Sequence, residues 1–153
     1  MRYRFFIAGI IQGSKHGLEV HDQEYRRILK RILQEAFPGC CILCPVENHP
    51  ESVTYTDEKA RRVFLDHVSK TRESHALVVY LPEASMGSAI ELWEVFRERT
   101  LKVVISPMTG NWVVRILSDR VFSNLETFER FVRSGDMKIM LEERFGQKAG
   151  EHS

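Results

Sequence analysis

A glutamate in apolar surroundings is the residue whose type and position most directly suggest chemistry. Glu91 follows a loop of small residues, and its sequence neighbours are apolar: Ala89, Ile90, Leu92 and Trp93. A carboxylate in such surroundings is unusual unless it caps a helix, is paired, or acts on a ligand. Ser88 lies three residues earlier, so a capping box, which would give Glu91 a purely structural role, stays open.

Two segments rich in glycine and serine are candidates for lining a ligand site. The first covers residues 9–17 and the second covers residues 82–88. Neither contains the Gly-Lys-Ser/Thr sequence of a phosphate loop, and the glycine spacing of the first does not match a dinucleotide fingerprint. Both lead towards helix starts, whose free amides favour anionic or polar ligands. Glycines that serve only to make turns are an equally good interpretation.

The other reactive side chains give less direct signals. Asp66 lies within a predicted helix, where it faces either solvent or a pocket. Cys41 and Cys44 have the spacing of a metal or redox pair, but there is no second cysteine pair and His49 is the single imidazole nearby. We favour a buried strand in which these cysteines act as small apolar residues. No histidine pair has helical zinc-motif spacing with a glutamate base, so we expect no metal site and no cofactor.

Composition places the chain among single globular domains. Its 153 residues are 43% hydrophobic and 28% charged, a soluble mixture. The net charge of +1 predicts neither binding to a nucleic acid polymer nor a polybasic membrane anchor. There is no apolar run of about 18 residues and no typical signal peptide, and three cysteines argue against a disulfide framework. We therefore expect a cytoplasmic chain.

Strand and helix patterns alternate about five times along the chain. Apolar runs predict strands near residues 3–8, 40–45, 76–81, 101–106 and 120–122. Strands that are apolar on both faces are typical of a parallel sheet covered by helices. We predict an α/β fold with a single doubly wound, mostly parallel five-stranded sheet in the flavodoxin-like order 2-1-3-4-5.

This order predicts where a ligand binds. Open parallel sheets bind ligands at the carboxyl ends of the strands, next to the switch in strand order. That point lies between strands one and three, where the two small-residue loops converge. We expect the domain to span residues 1–135 and to be followed by a charged, partly disordered tail at residues 136–153.

A longer stretch around the glutamate resembles a known family. Residues 76–92, ALVVYLPEASMGSAIEL, resemble the core motif of the nucleoside 2-deoxyribosyltransferase superfamily, which includes a deoxynucleoside 5′-monophosphate N-glycosidase-like branch. That motif is a hydrophobic strand, a small-residue loop and a glutamate early in the next helix. Residues 6–9, FIAG, resemble its first strand and glycine turn, and Asp66 is placed roughly as the family's conserved aspartate. The similarity covers about residues 3–132.

The resemblance implies cleavage or transfer of the N-glycosidic bond of a (deoxy)nucleoside or nucleotide. Glu91 would be the nucleophile and would form a covalent glycosyl-enzyme ester, while Asp66 would position the sugar or assist proton transfer to the leaving base. The substrate-binding residues that it implies are Gly9, Ile10, Gln12, Gly13, Ser85, Gly87, Ser88 and Asn111. It also implies a homodimer or a larger homo-oligomer, in which Asn111 reaches into the neighbour's pocket.

Four positions depart from the family's pattern. Phe6 stands where many members have an aromatic hydroxyl, and Ile10 and Gln12 stand where the monophosphate hydrolases have serine and arginine. Val114 aligns near a serine that the partner subunit contributes in those hydrolases. These departures motivate an alternative, a non-catalytic nucleotide-binding or sensing module on the same fold. A flavin-binding module is a third alternative, although the first loop lacks the Ser/Thr-rich cradle of flavodoxins.

Overall fold

The chain forms one parallel five-stranded sheet between two layers of helices. A computed structural model describes residues 1–146. The strands are β1 Arg4–Gly9, β2 Cys41–Leu43, β3 Ala76–Tyr80, β4 Leu101–Ile105 and β5 Arg120–Phe122. Their order is β2-β1-β3-β4-β5 and every pairing is parallel, which confirms the predicted α/β class and strand order.

Helices connect the strands and cover both faces of the sheet. They are α1 Glu24–Ala36, α2 Pro45–Asn48, α3 Asp57–Thr71, α4 Met86–Glu94, α5 Trp112–Ile116, α6 Leu125–Arg133 and α7 Asp136–Phe145, with one 3-10 turn at Ser52–Thr54. Side chains cap the starts of α3, α4, α5 and α6, and in each case an oxygen of Thr56, Ser85, Asn111 or Asn124 accepts a backbone N–H from the first turn. Within residues 1–146, no helix combines the length and the apolar character that crossing a bilayer requires.

Alternation along the strands builds two apolar cores. Phe5, Ile7 and Val78 point to one face, where α1, α6 and α7 cover them with residues such as Leu29 and Phe128. The opposite face is formed by Phe6, Ala8, Leu77, Val79 and Val104, which pack against Leu92 and Val95 of the α4 region and Val114 of α5. Because the strands are buried on both faces, the carboxyl edge of the sheet is a rigid platform for the loops that follow it.

The cysteine segment contains a strand, as the sequence predicts, but β2 is shorter than the expected 40–45 and is half-buried: it includes Cys41, and Cys44 is the residue before α2. Cys40 and Cys41 are half-buried, Cys44 is buried, and all three are free thiols. Among residues 1–146, no cluster of three or more His, Cys, Asp or Glu side chains is arranged to hold a metal ion.

The segment after residue 135 begins with a packed helix. Gly135 adopts a left-handed conformation with φ of 89° and separates α6 from α7. Met137 and Leu141 of α7 are fully buried in the larger core, so the folded part of the chain extends beyond the boundary expected at residue 135. The remainder of the expected tail, residues 147–153, lies outside the described residues.

We expect the substitution Leu141→Ala to lower the free energy of unfolding by about 2–5 kcal/mol, because it removes buried methyl groups and leaves a cavity. Ile139→Ala on the same helix is the matched control, since Ile139 is exposed. Chemical denaturation followed by circular dichroism measures both. Equal, small effects of the two substitutions would contradict the packing of α7 into the core.

Candidate functional site

A cavity of about 270 Å³ opens at the carboxyl ends of β1 and β3. It lies at the switch in strand order, because the chain leaves β1 towards β2 on one side and returns to β3 on the other. We call it the polar lobe. It is lined by Ala8, Gly9, Ile11, Gln12, Gly13, Arg26, Pro45, Phe64, His67, Ser85, Met86, Gly87, Ser88 and Glu91.

A glycine at the end of β1 forms one wall of the polar lobe. Gly9 has a φ of 154°, and a Cβ atom there would lie 2.7 Å from both the Tyr25 hydroxyl and the Tyr80 carbonyl oxygen. A side chain therefore cannot be accommodated without moving the backbone of β3. The Tyr25 hydroxyl donates a hydrogen bond to the Ile10 carbonyl at 2.9 Å, which holds the start of the loop after β1.

The start of α4 forms the opposite wall. Ser85 is the N-cap, and its hydroxyl accepts the backbone N–H of Ser88 at 3.4 Å. The N-cap therefore lies three residues before Ser88, so Ser88 itself occupies the capping-box position and Glu91 lies in the second turn of the helix. Gly87, Ser88 and Glu91 follow helical spacing and all three line the polar lobe.

Glu91 is held in the polar lobe without a direct partner. Its side chain is largely surrounded by protein but keeps some exposure to the cavity, and none of the described residues forms a hydrogen bond or ion pair with its carboxylate. Burial raises the pKa of Glu91 to about 7, and the positive charge of Arg26 opposes this rise. The carboxylate therefore exchanges a proton near neutral pH and remains free to contact a ligand.

Arg26 is a buried cation that the sequence analysis did not select. Its guanidinium donates to the carbonyl oxygens of Ile7 and Gly9, each at 3.2 Å, and to the side-chain oxygen of Gln23 at 2.8 Å. These bonds fix the charge beneath the loop after β1. The sequence does contain a sign of this burial. Arg26 lies one turn before Leu29, on the apolar face of α1, where a charged residue is unusual.

A second chamber of about 200 Å³ adjoins the polar lobe. We call it the apolar lobe; it shares Ile11, Pro45, Phe64 and His67 with the polar lobe and adds Val46, His49, Ser52, Tyr55, Ala60 and Val63. His67 borders both lobes and was also missed by the sequence analysis. Taken together, the two lobes reach the range of about 300–1,000 Å³ that is typical of small-molecule sites.

The structure brings most of the predicted site residues together. Seven of them line the polar lobe: Gly9, Gln12, Gly13, Ser85, Gly87, Ser88 and Glu91. Ile10 does not reach it, because its side chain is fully buried and a Cβ on Gly13 would lie 2.7 Å from its Cδ1. Asn111 also lies outside the lobe, where it caps α5 by accepting the backbone N–H groups of Val113 and Val114.

Asp66 lies on the outer side of α3. Its carboxylate is exposed and forms an ion pair with Lys70 at 2.6 Å, and this hydrogen bond lowers the pKa of Asp66. Successive residues of a helix point about 100° apart, so the neighbouring His67 faces the cavity while Asp66 faces solvent. The structure therefore does not support the expectation that Asp66 contacts a ligand in this cavity.

Comparison with known proteins supports the fold. No protein-family model matches the chain, and no curated protein matches it. A conserved protein from Enterococcus faecalis V583 has a similar structure, with a TM-score of 0.63, 15% identity, and coverage of 88% of this chain and 99% of that one. A 2-deoxyribosyltransferase from the psychrotolerant bacterium Bacillus psychrosaccharolyticus has a TM-score of 0.56 and 15% identity, with coverage of 82% and 90%. At these identities the likeness shows a shared α/β fold.

The raised pKa of Glu91 has a consequence for stability. The pKa of Glu91 is about 7 in the folded chain and near 4.5 in the unfolded chain, so the folded chain holds this proton to a higher pH and wild-type stability falls as pH rises between these values. We expect Glu91→Gln, which stays neutral, to be more stable than wild type by on the order of 3 kcal/mol at pH 8.5, and to differ little at pH 4. Thermal unfolding over this pH range measures the effect. A pH-independent difference between the two proteins would contradict the desolvation of Glu91.

Proposed function

We propose that this chain cleaves or transfers the N-glycosidic bond of a nucleoside or nucleotide, with Glu91 as the nucleophile. The observation that carries the proposal is an unpaired carboxylate facing a cavity at the switch point of the sheet. The similarity of the fold to that of a 2-deoxyribosyltransferase supports this reaction class. The resemblance of residues 76–92 to the core motif of that superfamily supports it independently.

The two lobes suit the two halves of a nucleoside. The polar lobe presents the hydroxyls of Ser85 and Ser88 and the carboxylate of Glu91, which suit a sugar. The apolar lobe, with aromatic rings from His49, Tyr55 and Phe64 among its walls, suits a planar base. A nucleoside that spans both lobes has its glycosidic bond near their junction.

The reaction is a double displacement. An oxygen of ionised Glu91 bonds to C1′ of the sugar as the C1′–N bond breaks, and the electron pair of that bond goes to the base. In the second step a water molecule (hydrolysis) or another base (transfer) displaces Glu91 from C1′, which regenerates the carboxylate and retains configuration. A carboxylate also stabilises the positive charge that develops on the sugar ring in both transition states.

We expect wild-type protein to release free base from at least one member of a panel of 2′-deoxynucleosides and their 5′-monophosphates, assayed with and without an acceptor base. Glu91→Gln should lower kcat/KM by at least about 10³-fold, because it removes the nucleophile. Glu98→Gln is the matched control, since Glu98 is exposed beyond the end of α4. Chromatography measures base release, and mass spectrometry of acid-quenched protein detects the sugar ester on Glu91.

Unchanged base release by Glu91→Gln would exclude Glu91 as the nucleophile. If wild type releases base from none of the compounds, cleavage and transfer of the N-glycosidic bond are both excluded. The second outcome would favour another function, a non-catalytic nucleotide-binding module. That candidate has its own supporting observation, because Phe6 is buried in the core and the loop after β1 presents uncharged Gln12 to the cavity. Calorimetric binding of a nucleotide without turnover is the result that this module would give.

One face of the molecule has the apolar surface expected of an interface between copies of this chain. The outer faces of α4 and α5 expose large apolar side chains, including Met86 at 83% and Trp112 at 73% exposure, together with Ile90, Trp93 and Ile116. Exposed apolar surface of this kind typically marks an interface. Met86 also lines the polar lobe, so a second copy seated on α4 would contact the rim of the cavity. We propose that a second copy of this chain covers this face.

We expect sedimentation analysis to show a dimer or larger species, and the double substitution Trp93→Glu/Trp112→Glu to produce a monomer, because it places two charges in the proposed interface. Ile139→Glu, on an exposed position of α7 at the other face of the sheet, is the control and should leave the assembly intact. A monomeric wild-type chain at micromolar concentration would contradict the proposed interface.

A further inference from the structure

His67 occupies the junction between the two lobes. It is half-buried on α3 and lines both chambers, whereas Glu91 lines the polar lobe and His49 and Tyr55 line the apolar lobe. A nucleoside placed as proposed above has its base within the apolar lobe and its sugar beside Glu91. The imidazole of His67 is then the titratable group that borders both the base and the sugar.

We propose that His67 is a catalytic residue that donates a proton to the departing base. This inference rests on the proposed function and assigns a second role within the same cavity. The other titratable group of this part of α3 that could act as an acid, Asp66, faces solvent in an ion pair with Lys70. An acid is needed because an ordinary base leaves as a poor anion unless one of its ring nitrogens is protonated as the C1′–N bond breaks.

The surroundings of His67 hold its ring in place. The ring of His49 lies 5.1 Å from that of His67, centroid to centroid, in an edge-to-face arrangement. The Nδ1 atom of His49 is in turn 2.9 Å from the hydroxyl of Tyr55. The Tyr55 ring packs beneath the Lys59 ammonium, whose nitrogen lies 3.9 Å from the ring centroid. This stack fixes the orientation of His67 towards the cavity.

Burial, more than the neighbouring charges, makes the imidazolium of His67 a stronger acid than usual. Burial lowers the pKa of His67, His49 lowers it further, Asp66 raises it, and Lys70 lowers it slightly. Across the polar lobe lie the carboxylate of Glu91 and the guanidinium of Arg26. Each catalytic cycle would start from protonated His67 and ionised Glu91.

The first step is a displacement at C1′ coupled to a proton transfer. Glu91 bonds to C1′, the pair of electrons in the C1′–N bond moves onto the base, and the proton on an imidazole nitrogen of His67 moves to a ring nitrogen of that base. The products are a neutral base, a neutral imidazole and the sugar ester of Glu91. In the hydrolytic second step, His67 can recover a proton from the attacking water.

A substrate that needs no proton separates this role from the role of Glu91. The base of 7-methyl-2′-deoxyguanosine carries a positive charge and departs as a neutral molecule, whereas 2′-deoxyguanosine requires an acid. We would measure base release from both compounds, and from their 5′-monophosphates, near pH 6, with blanks for spontaneous loss of the methylated base. The proteins are wild type, His67→Gln, Glu91→Gln and Ser69→Ala, the last an exposed control on α3.

We expect His67→Gln to lower kcat/KM for the unmethylated substrate by about 10²–10⁴-fold and for the methylated substrate by less than about fivefold. Glu91→Gln should abolish release from both, and Ser69→Ala should match wild type. In wild type, kcat/KM for the unmethylated substrate should fall about tenfold per pH unit above neutral pH, because His67 loses its proton; the residual activity of His67→Gln should lack this fall.

Equal losses on the two substrates would overturn the assignment, because they would indicate that His67 positions the substrate or the fold. Full activity of His67→Gln on both would also overturn it. If wild type releases only the methylated base, Glu91 acts without an acid and the proposal for His67 fails while the proposed function stands. If wild type releases neither base, the proposal for His67 fails, and base release from the other compounds of the panel decides whether the proposed function stands.

Discussion

Keeping the unpaired carboxylate of Glu91 in a partly dry cavity costs free energy, and the rest of the fold has to offset that cost. Desolvation disfavours the ionised form of Glu91, and a shift to a pKa of about 7 corresponds to a cost on the order of 3 kcal/mol when the group is charged. That is a large fraction of the typical stability of a domain of this size. The sheet offsets it because its strands are buried on both faces by two apolar cores.

The same sheet also fixes the geometry of the cavity. Gly9 brings the end of β1 against β3, and the Ser85 cap sets where α4 begins, so Glu91 projects from a second helical turn rather than from a loop. The wall at the end of β1 is also held by side chains of α1, because Tyr25 donates to the Ile10 carbonyl and Arg26 donates to the Ile7 and Gly9 carbonyls. A site built on strand ends and a capped helix loses little conformational freedom when a ligand binds, which preserves binding energy for the reaction.

The fold was predictable from the sequence because apolar strands alternating with helices leave few topologies. That strand order also predicted that the two small-residue loops meet, and seven of the ten expected site residues, Glu91 included, line the polar lobe. The differences between the expected and the observed lining of the cavity have physical causes. Asp66 and His67 are adjacent, and a shift of one residue in the helical phase turns a side chain by about 100°, which a weakly amphipathic helix does not fix. Arg26 reaches the site from another helix, and its target, the carbonyl groups at the end of β1, has no sequence signature. Ile10 continues the strand's apolar pattern and is buried accordingly.

The carboxylate of Glu91 is weakly held because none of the described residues donates a hydrogen bond to it. Phe6, which carries no hydroxyl, is buried in the core on the α4 side of the sheet and does not line the cavity. The favourable influence on the ionised form comes instead from Arg26, whose guanidinium is committed to backbone carbonyls and to Gln23 and acts through its charge. A charge acting at a distance lowers a pKa less than a direct hydrogen bond does. Glu91 is therefore a stronger base than an ordinary carboxylate, and it is fully available as a nucleophile only once the pH exceeds about 7.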